Sequence, residues 1–203
     1  MVITMAKRQK NQIVPFNEDR WNNWIELAKE SDYKNIEEAP PPVFIDMEED
    51  VIIACYKLIK GFEIGQVTKE ETLESFAKIE LITQKKINTG DEDLDDILDL
   101  VQSSLLGAFA SFESYVTNSF VDDVKADDLI KEAVEQEKKG NLDRALEIVG
   151  KIGAKIMAGN SLSEEAVVEL NDGCVAEWLD GIESISAVLI SNIEYDDGSA
   201  EDE

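Results

Sequence analysis

Apolar residues recur every three or four positions along most of the chain, the spacing that predicts amphipathic α-helices. No run of alternating apolar and polar residues indicates a β-strand. The sequence therefore predicts an all-α fold, with about seven amphipathic helices packed as helical hairpins in one bundle-like domain. The longest apolar series comprises Leu94, Ile97, Leu98, Val101, Leu105, Ala108, Phe109, Phe112 and Val116.

Capping residues predict where several helices begin. Asn17 is a suitable N-cap for the first helix. Asp46, followed three residues later by Glu49, predicts the start of the second helix as a variant of the capping box. Thr68 and Glu71 form the standard capping box of the third helix. Glycines expected at helix ends are Gly65, Gly140 and Gly159.

The apolar stripes also predict which residues face the core. Trp21 and Trp24 share one stripe with Ile25 and Ala28, and we interpret the two tryptophans as core rather than as a ligand box. Inward-facing residues predicted for the third helix are Leu73, Phe76, Ala77 and Leu81. The last helix has a stripe wide enough to pack on neighbouring helices or on a second subunit: Val175, Trp178, Leu179, Ile182, Ile185, Val188 and Leu189.

Composition divides the chain into three parts. Residues 1–14 contain three bases and no acid, which predicts a mobile basic arm. Residues 15–193 are predicted to form a single all-α domain, interrupted by a proline-rich extended connector at 39–44. Residues 194–203 contain six acids and no base and are predicted to be a disordered acidic tail.

The chain is strongly acidic, with 45 acids against 19 bases and a net charge of −26. This charge disfavours binding to nucleic-acid phosphates or to an anionic membrane surface. No stretch approaches the ~20 apolar residues of a membrane span, and no apolar run of signal-peptide length begins the chain. We therefore expect a soluble cytoplasmic protein that binds neither nucleic acid nor membrane.

The residue types exclude several chemistries. The chain has no histidine, which removes histidine general bases, Ser–His and Cys–His nucleophile pairs and histidine metal ligands. Cys55 and Cys174 form no CxxC pair, and both are interpreted as buried small hydrophobes in a reducing compartment. The sequence accordingly predicts no catalytic, cofactor-binding or metal-binding residue and no cofactor.

The segment GDEDLDDILDL, residues 90–100, contains six carboxylates. Its leucines and isoleucine have helical spacing, so we interpret the acids as the solvated first turns of a helix, where the dipole favours carboxylates. The alternative is a magnesium or manganese site built only from carboxylates, as in a hydrolase. In that alternative, Glu48, Glu49 and Asp50 would face Asp95, Asp96 and Asp99.

Three motifs carry a resemblance to a known family. They are the helix opening Glu18-Asp19-Arg20-Trp21 with Trp24, the helix containing Ala54-Cys55, and the turn into Thr68-x-x-Glu71. With them the chain resembles an uncharacterised archaeal family of small, acidic, soluble proteins, a domain of unknown function. The resemblance covers most of the chain apart from the basic arm and the acidic tail. It implies an archaeal cytosol and a helical fold, and it implies no activity.

The sequence favours a non-enzymatic interaction or adaptor protein that acts through helical surfaces, because its helical hairpins come without catalytic motifs. We expect protein partners, or self-association through the apolar last helix. The alternatives are the carboxylate-only hydrolase and an acidic mimic of nucleic acid that blocks a basic protein.

Overall fold

The computed structural model describes residues 16–34, 41–121, 123–162 and 173–196. Those residues form seven helices and no strand, which confirms the predicted all-α class. The helices are α1 (Glu18–Glu30), α2 (Pro42–Glu63), α3 (Lys69–Thr83), α4 (Glu92–Thr117), α5 (Ala126–Lys138), α6 (Leu142–Met157) and α7 (Cys174–Asp196). None of the described helices is long and apolar enough to cross a membrane.

Two predicted helix starts are confirmed with their capping bonds. The side chain of Asn17 accepts a hydrogen bond from the backbone N–H of Arg20 at 2.9 Å. At the start of α3, Thr68 Oγ1 accepts from the N–H of Glu71 at 3.1 Å, while Glu71 Oε2 accepts from the N–H of Thr68 at 2.8 Å. These bonds satisfy backbone donors that have no partner inside the helix.

The predicted start of α2 at Asp46 is wrong, because the helix begins at Pro42. Proline is well tolerated in the first helical turn, since its missing N–H would have no partner there and its fixed φ is already helical. Pro41 is the N-cap residue, with extended backbone angles. The extended connector predicted at 39–44 therefore ends at Pro41, and residues 39 and 40 lie outside the described part of the chain.

The predicted inward face of α3 is also wrong in part. Phe76 is buried and Leu73 is half-buried, but Ala77 is exposed and Leu81 is 71% exposed. The buried positions beside Phe76 include Thr72 and Thr83, which are fully covered. The hydroxyl of Thr72 donates to the carbonyl of Thr68 at 2.8 Å, and that of Thr83 donates to the carbonyl of Ile79 at 3.1 Å. Because each hydroxyl has an acceptor one turn earlier in its own helix, the two threonines can be buried without an unpaired donor.

The buried side chains form two clusters with α4 between them. The larger cluster joins α1, α2, α3 and α4 to the second half of α7, and it contains Trp21, Phe76 and Phe112. Trp21 is only 2% exposed, which confirms its interpretation as core, whereas Trp24 is half-buried. The smaller cluster joins α5 and α6 to the first half of α7, including Trp178.

Glycines allow α6 and α7 to approach α4 at backbone distance. A Cβ added at Gly107 of α4 would overlap the carbonyl oxygen of Trp178 in α7, and one at Gly181 of α7 would overlap that of Ser104. On the other side, a Cβ at Gly150 of α6 would lie 2.6 Å from the carbonyl oxygen of Ala110. Small residues at a helix crossing permit such close approach, so these positions fix where α6 and α7 lie on α4.

Three predicted features lie partly or wholly outside the described residues. The predicted basic arm at 1–14 is outside them. So is most of the segment from Ser161 to Glu164, whose Ser-x-x-Glu spacing predicts a further capping box. The backbone of α7 is helical through Asp196, so three residues of the predicted tail at 194–203 belong to that helix. Residues 197–203 are not described.

Candidate functional site

A groove runs along α7, between α2 on one side and the end of α6 on the other. It encloses about 980 Å³. The segment of α7 that lines it extends from Ala176 to Ile190, about 21 Å at the helical rise of about 1.5 Å per residue. Its lining comes from Tyr56, Ile59, Lys60, Glu63, Tyr115, Ile156, Met157, Gly159, Asn160, Ser161, Leu162, Ala176, Leu179, Asp180, Ile182, Glu183, Ser186, Leu189 and Ile190.

The floor of the groove is apolar. Ile59 of α2 and Ile182 of α7 form its buried base, each 1% exposed. Met157 and Leu189 are half-buried at its sides, and Ile190 is 63% exposed at one end. An isolated exposed isoleucine needs no explanation, but here Ile190 continues an apolar surface that the other helices of the described residues leave uncovered.

One rim of the groove carries a hydrogen-bonded polar cluster. Glu63 accepts from Lys60 Nζ at 2.9 Å and from the hydroxyl of Tyr115 at 2.8 Å. Partial burial opposes ionisation of Glu63, but these two donors hold the pKa of its carboxyl below the ordinary value. The pKa of Lys60 is raised, chiefly by the same bond to Glu63. This rim is therefore internally neutralised.

A second rim, formed by α7, is acidic, and no described base compensates its charge. Asp180 and Glu183 lie one turn apart on α7 and are both solvent-accessible. Among the residues that the structure describes, no lysine or arginine lies within ion-pair distance of either carboxylate. Partial desolvation, followed by the like charges of Glu183 and Glu177, raises the pKa of Asp180.

Two further carboxylates near this rim are held by serines of α4. Glu177 of α7 accepts from the hydroxyl of Ser103 at 2.5 Å, and Glu48 of α2 accepts from that of Ser104 at 2.5 Å. Burial raises the pKa of Glu48. Hydrogen bonds from Ser104 and Ser184 oppose this shift, and the nearby charges of Asp180 and Glu49 add to it. Glu48 and Glu177 are thus engaged within the bundle, unlike Asp180 and Glu183.

The first group of carboxylates considered for a metal site has other partners. Asp50 accepts from Arg20 Nε at 2.6 Å and from Trp24 Nε1 at 2.8 Å. The second terminal nitrogen of Arg20 also bonds to this carboxylate, so the contact is bidentate. The Arg20-to-Trp24 motif therefore has a structural role, because it ties α1 to α2.

The acidic run at the start of α4 is likewise explained by local bonds. Asp95 Oδ1 accepts from both the backbone N–H and the hydroxyl of Thr89, at 2.8 and 2.7 Å. Asp91 forms a 2.6 Å ion pair with Lys34. Asp96 and Asp99 are exposed. Within the described ranges, no group of three or more acids and cysteines is placed to hold a metal ion, so the six carboxylates considered above do not converge.

The two cysteines have different environments. Cys55 is fully buried in α2, and burial strongly raises the pKa of its thiol. Cys174, the first residue of α7, is half-buried, and its pKa is raised by burial and by Glu177 and Glu137. Raised thiol pKa values mean little reactive thiolate at neutral pH, and neither thiol lines the groove.

Sequence reasoning did not find the groove. Its apolar floor comes from residues such as Leu179 and Ile182, which belong to the stripe predicted to pack on neighbouring helices or on a second subunit. The signal in the sequence is that apolar residues continue one position beyond that stripe, to Ile190. Which side of α7 stays open depends on the glycine crossings with α4, and the periodicity does not report them.

These features define an all-helical bundle protein with an open apolar groove along its last described helix. The chain belongs to the family described as an uncharacterized protein conserved in archaea (DUF2150), whose model matches residues 16–198. The resemblance inferred from the Arg20 and Thr68 motifs is thereby confirmed. No curated protein and no solved structure matches the chain.

Proposed function

We propose that this protein is a non-enzymatic interaction or adaptor protein, and that the groove along α7 receives one helix of a protein partner. The observation that carries the proposal is the open apolar floor, which ends at the 63% exposed Ile190. An amphipathic helix that lays its apolar face into such a groove is a recurrent mode of protein recognition.

The length of the groove favours a helix as the occupant. About 21 Å of α7 corresponds to about four helical turns, which accommodates apolar anchors at positions i, i+3, i+4 and i+7 of a partner helix. The polar groups that line it support binding rather than catalysis. Lys60 and Glu63 neutralise each other, and the hydroxyl of Ser186 donates to the carbonyl of Ile182 within its own helix at 3.0 Å.

The test places a photo-crosslinking amino acid at Ile190 of the full chain and, as a matched control, at Leu81. Both positions are exposed apolar residues, but Leu81 lies on α3, outside the groove. After incubation with native lysate, the crosslinked segments are identified by mass spectrometry. We expect a crosslink from position 190 to a segment with helical apolar periodicity and none to that segment from position 81.

The polar variant Ile190→Gln, paired with Leu81→Gln, tests the same contact without the crosslinker. Loss of this exposed apolar side chain at the end of the floor is expected to reduce recovery of the partner about tenfold, while Leu81→Gln leaves it unchanged. Equal recovery by both variants and wild type would contradict the proposal. A crosslink from position 190 to a second copy of this chain would replace the protein partner with self-association.

A further inference from the structure

The two rims of the groove differ in charge, and this difference identifies the chemistry of the partner. The Tyr115 rim contains the one base that lines the groove within the described residues, and that base, Lys60, is paired with Glu63. The other rim presents Asp180 and Glu183, which have no described cation beside them. A neutral or acidic helix would leave these two carboxylates unpaired at the edge of the contact.

The helix that carries this rim provides no compensation of its own. From Cys174 to Asp196, α7 has no lysine or arginine. Glu177, Asp180 and Glu183 follow one another at three-residue spacing, where like charges repel across each turn. Ser103 accounts for one oxygen of Glu177, which leaves Asp180 and Glu183 as the accessible acceptors beside the apolar floor.

The spacing of the two carboxylates sets a further requirement. Glu183 follows Asp180 by three positions, which corresponds to about 4.5 Å along the axis of α7. Two bases one turn apart on a helix lying along the groove would meet that spacing, while apolar residues of the same helix at i, i+3 and i+4 face Leu189 and Ile190. The net charge of −26 would also increase the rate of encounter with a basic segment.

We infer that the occupant of the groove is a basic amphipathic helix of a partner protein, with its apolar face on Leu189 and Ile190 and with lysines or arginines on Asp180 and Glu183. This inference rests on the proposed function and specifies the chemical class of the partner. It assigns separate tasks to the two parts of the groove: the apolar floor supplies affinity and the acidic rim selects the charge of the helix.

The test is selection from a display library of designed helices of about 18 residues. The library fixes leucines at i, i+3, i+4 and i+7 and varies the flanking positions among Lys, Gln and Glu. The full chain is the bait, as wild type, as Asp180→Asn with Glu183→Gln, and as Ile190→Gln. The matched control is Asp96→Asn with Asp99→Asn, which removes two exposed carboxylates of the same spacing on α4.

We expect wild type to enrich Lys over Glu at two flanking positions one turn apart. A selected Lys peptide should bind about tenfold more weakly to the Asp180/Glu183 variant and with unchanged affinity to the Asp96/Asp99 control. Raising the salt concentration from about 50 to about 500 mM should weaken binding to wild type more than to the Asp180/Glu183 variant.

The contrary outcomes separate the two proposals. Helices that are selected without a preference for Lys, and that require Ile190, would overturn the inference about charge and leave the groove as a docking surface. Equal weakening by the Asp96/Asp99 control would show general attraction to an acidic protein and would also overturn it. Failure of wild type to select any helix over Ile190→Gln would count against the proposed function itself.

Discussion

The Nε–H group of Arg20 in α1 donates a hydrogen bond to Oδ2 of Asp50 in α2, with 2.6 Å between nitrogen and oxygen, although the two residues are thirty positions apart in sequence. Trp24 donates to the same carboxylate at 2.8 Å. Replacing Asp50 with Asn removes the charge that both donors share. Because the Arg20 side chain is 36% exposed, solvent screens part of the interaction, and we expect a loss of about 1–2 kcal/mol in the free energy of unfolding.

Urea denaturation followed by tryptophan fluorescence measures this loss. Arg20→Lys is expected to destabilise as well, because a lysine keeps the charge but cannot make the bidentate contact. Asp99→Asn is the control, since Asp99 is exposed on α4. If Asp50→Asn costs no more than Asp99→Asn, the contact between Arg20 and Asp50 does not hold α1 to α2.

The close crossing of α4 and α7 predicts that one substitution of glycine by alanine lowers the stability of the protein instead of raising it. In an uncrowded helix, Gly→Ala raises stability by about 0.5–1 kcal/mol. At Gly181 the added methyl group would overlap the carbonyl oxygen of Ser104, so we expect Gly181→Ala to lower stability by about 1–3 kcal/mol. The free energy of unfolding of this variant is measured by thermal and urea denaturation. The control is Ala187→Gly at an exposed position of α7, which reports the effect of helix propensity alone. A stabilised Gly181→Ala would show that the two backbones are farther apart.

The half-buried carboxyl of Glu48 predicts a pH dependence of stability. Burial raises its pKa in the folded protein above the ordinary value of 4.5, so the folded state binds the proton more tightly than the unfolded state does. The free energy of unfolding therefore falls as pH rises from about that ordinary value through the raised one. Glu48→Gln removes this titration and should raise stability at neutral pH by on the order of 1 kcal/mol.

The measurement is the difference in unfolding free energy between Glu48→Gln and wild type across this pH range. The difference should grow as pH rises and should vanish below the ordinary carboxyl pKa. Glu74→Gln, at an exposed position of α3, is the comparison and should show a much smaller dependence. A pH-independent difference for Glu48→Gln would contradict the assignment, because it would arise from packing rather than from the proton.

The two thiols are expected to differ in reactivity towards a disulfide reagent such as DTNB. Cys55 is fully buried with a raised pKa, so it should react only when the protein unfolds. Cys174 is half-buried and should react slowly in the native protein, faster as pH rises towards its raised pKa. The measurement is the number of thiols that react with DTNB before and after guanidinium is added. The variant Cys174→Ser should abolish the reaction of the native protein. A fast native reaction in that variant would show that Cys55 is accessible.

Much of the fold could be predicted because each helix carries its own signal. The series from Leu94 to Val116 predicted α4, and the Thr-x-x-Glu spacing of Thr68 and Glu71 predicted the start of α3, where their reciprocal bonds confirm it. The prediction was wrong where two local rules competed. Pro42 was assigned to an extended connector, although the first turn of a helix accepts proline.

Two features of the packing could not be predicted from local sequence patterns: the burial of two threonines of α3, and the glycine contacts that position α7. Thr72 and Thr83 were not expected in the core, because their burial depends on hydroxyl bonds to their own helix. Gly107 and Gly181 are small residues within apolar sequence, and nothing in their spacing shows that each lies on a neighbour's backbone. Because those two contacts determine which side of α7 lies on α4, they also determine which side of α7 lines the groove.

The glycine crossings have a consequence for how this family can diverge. Because main-chain atoms at Gly107 and Gly181 meet main-chain atoms of the opposite helix, the separation of α4 and α7 does not depend on the size of the side chains that line the groove. Substitutions along the floor or the acidic rim can therefore change the shape and charge of the groove without shifting the helices that support it. The lining of the groove is free to vary while the crossing of α4 and α7 stays the same.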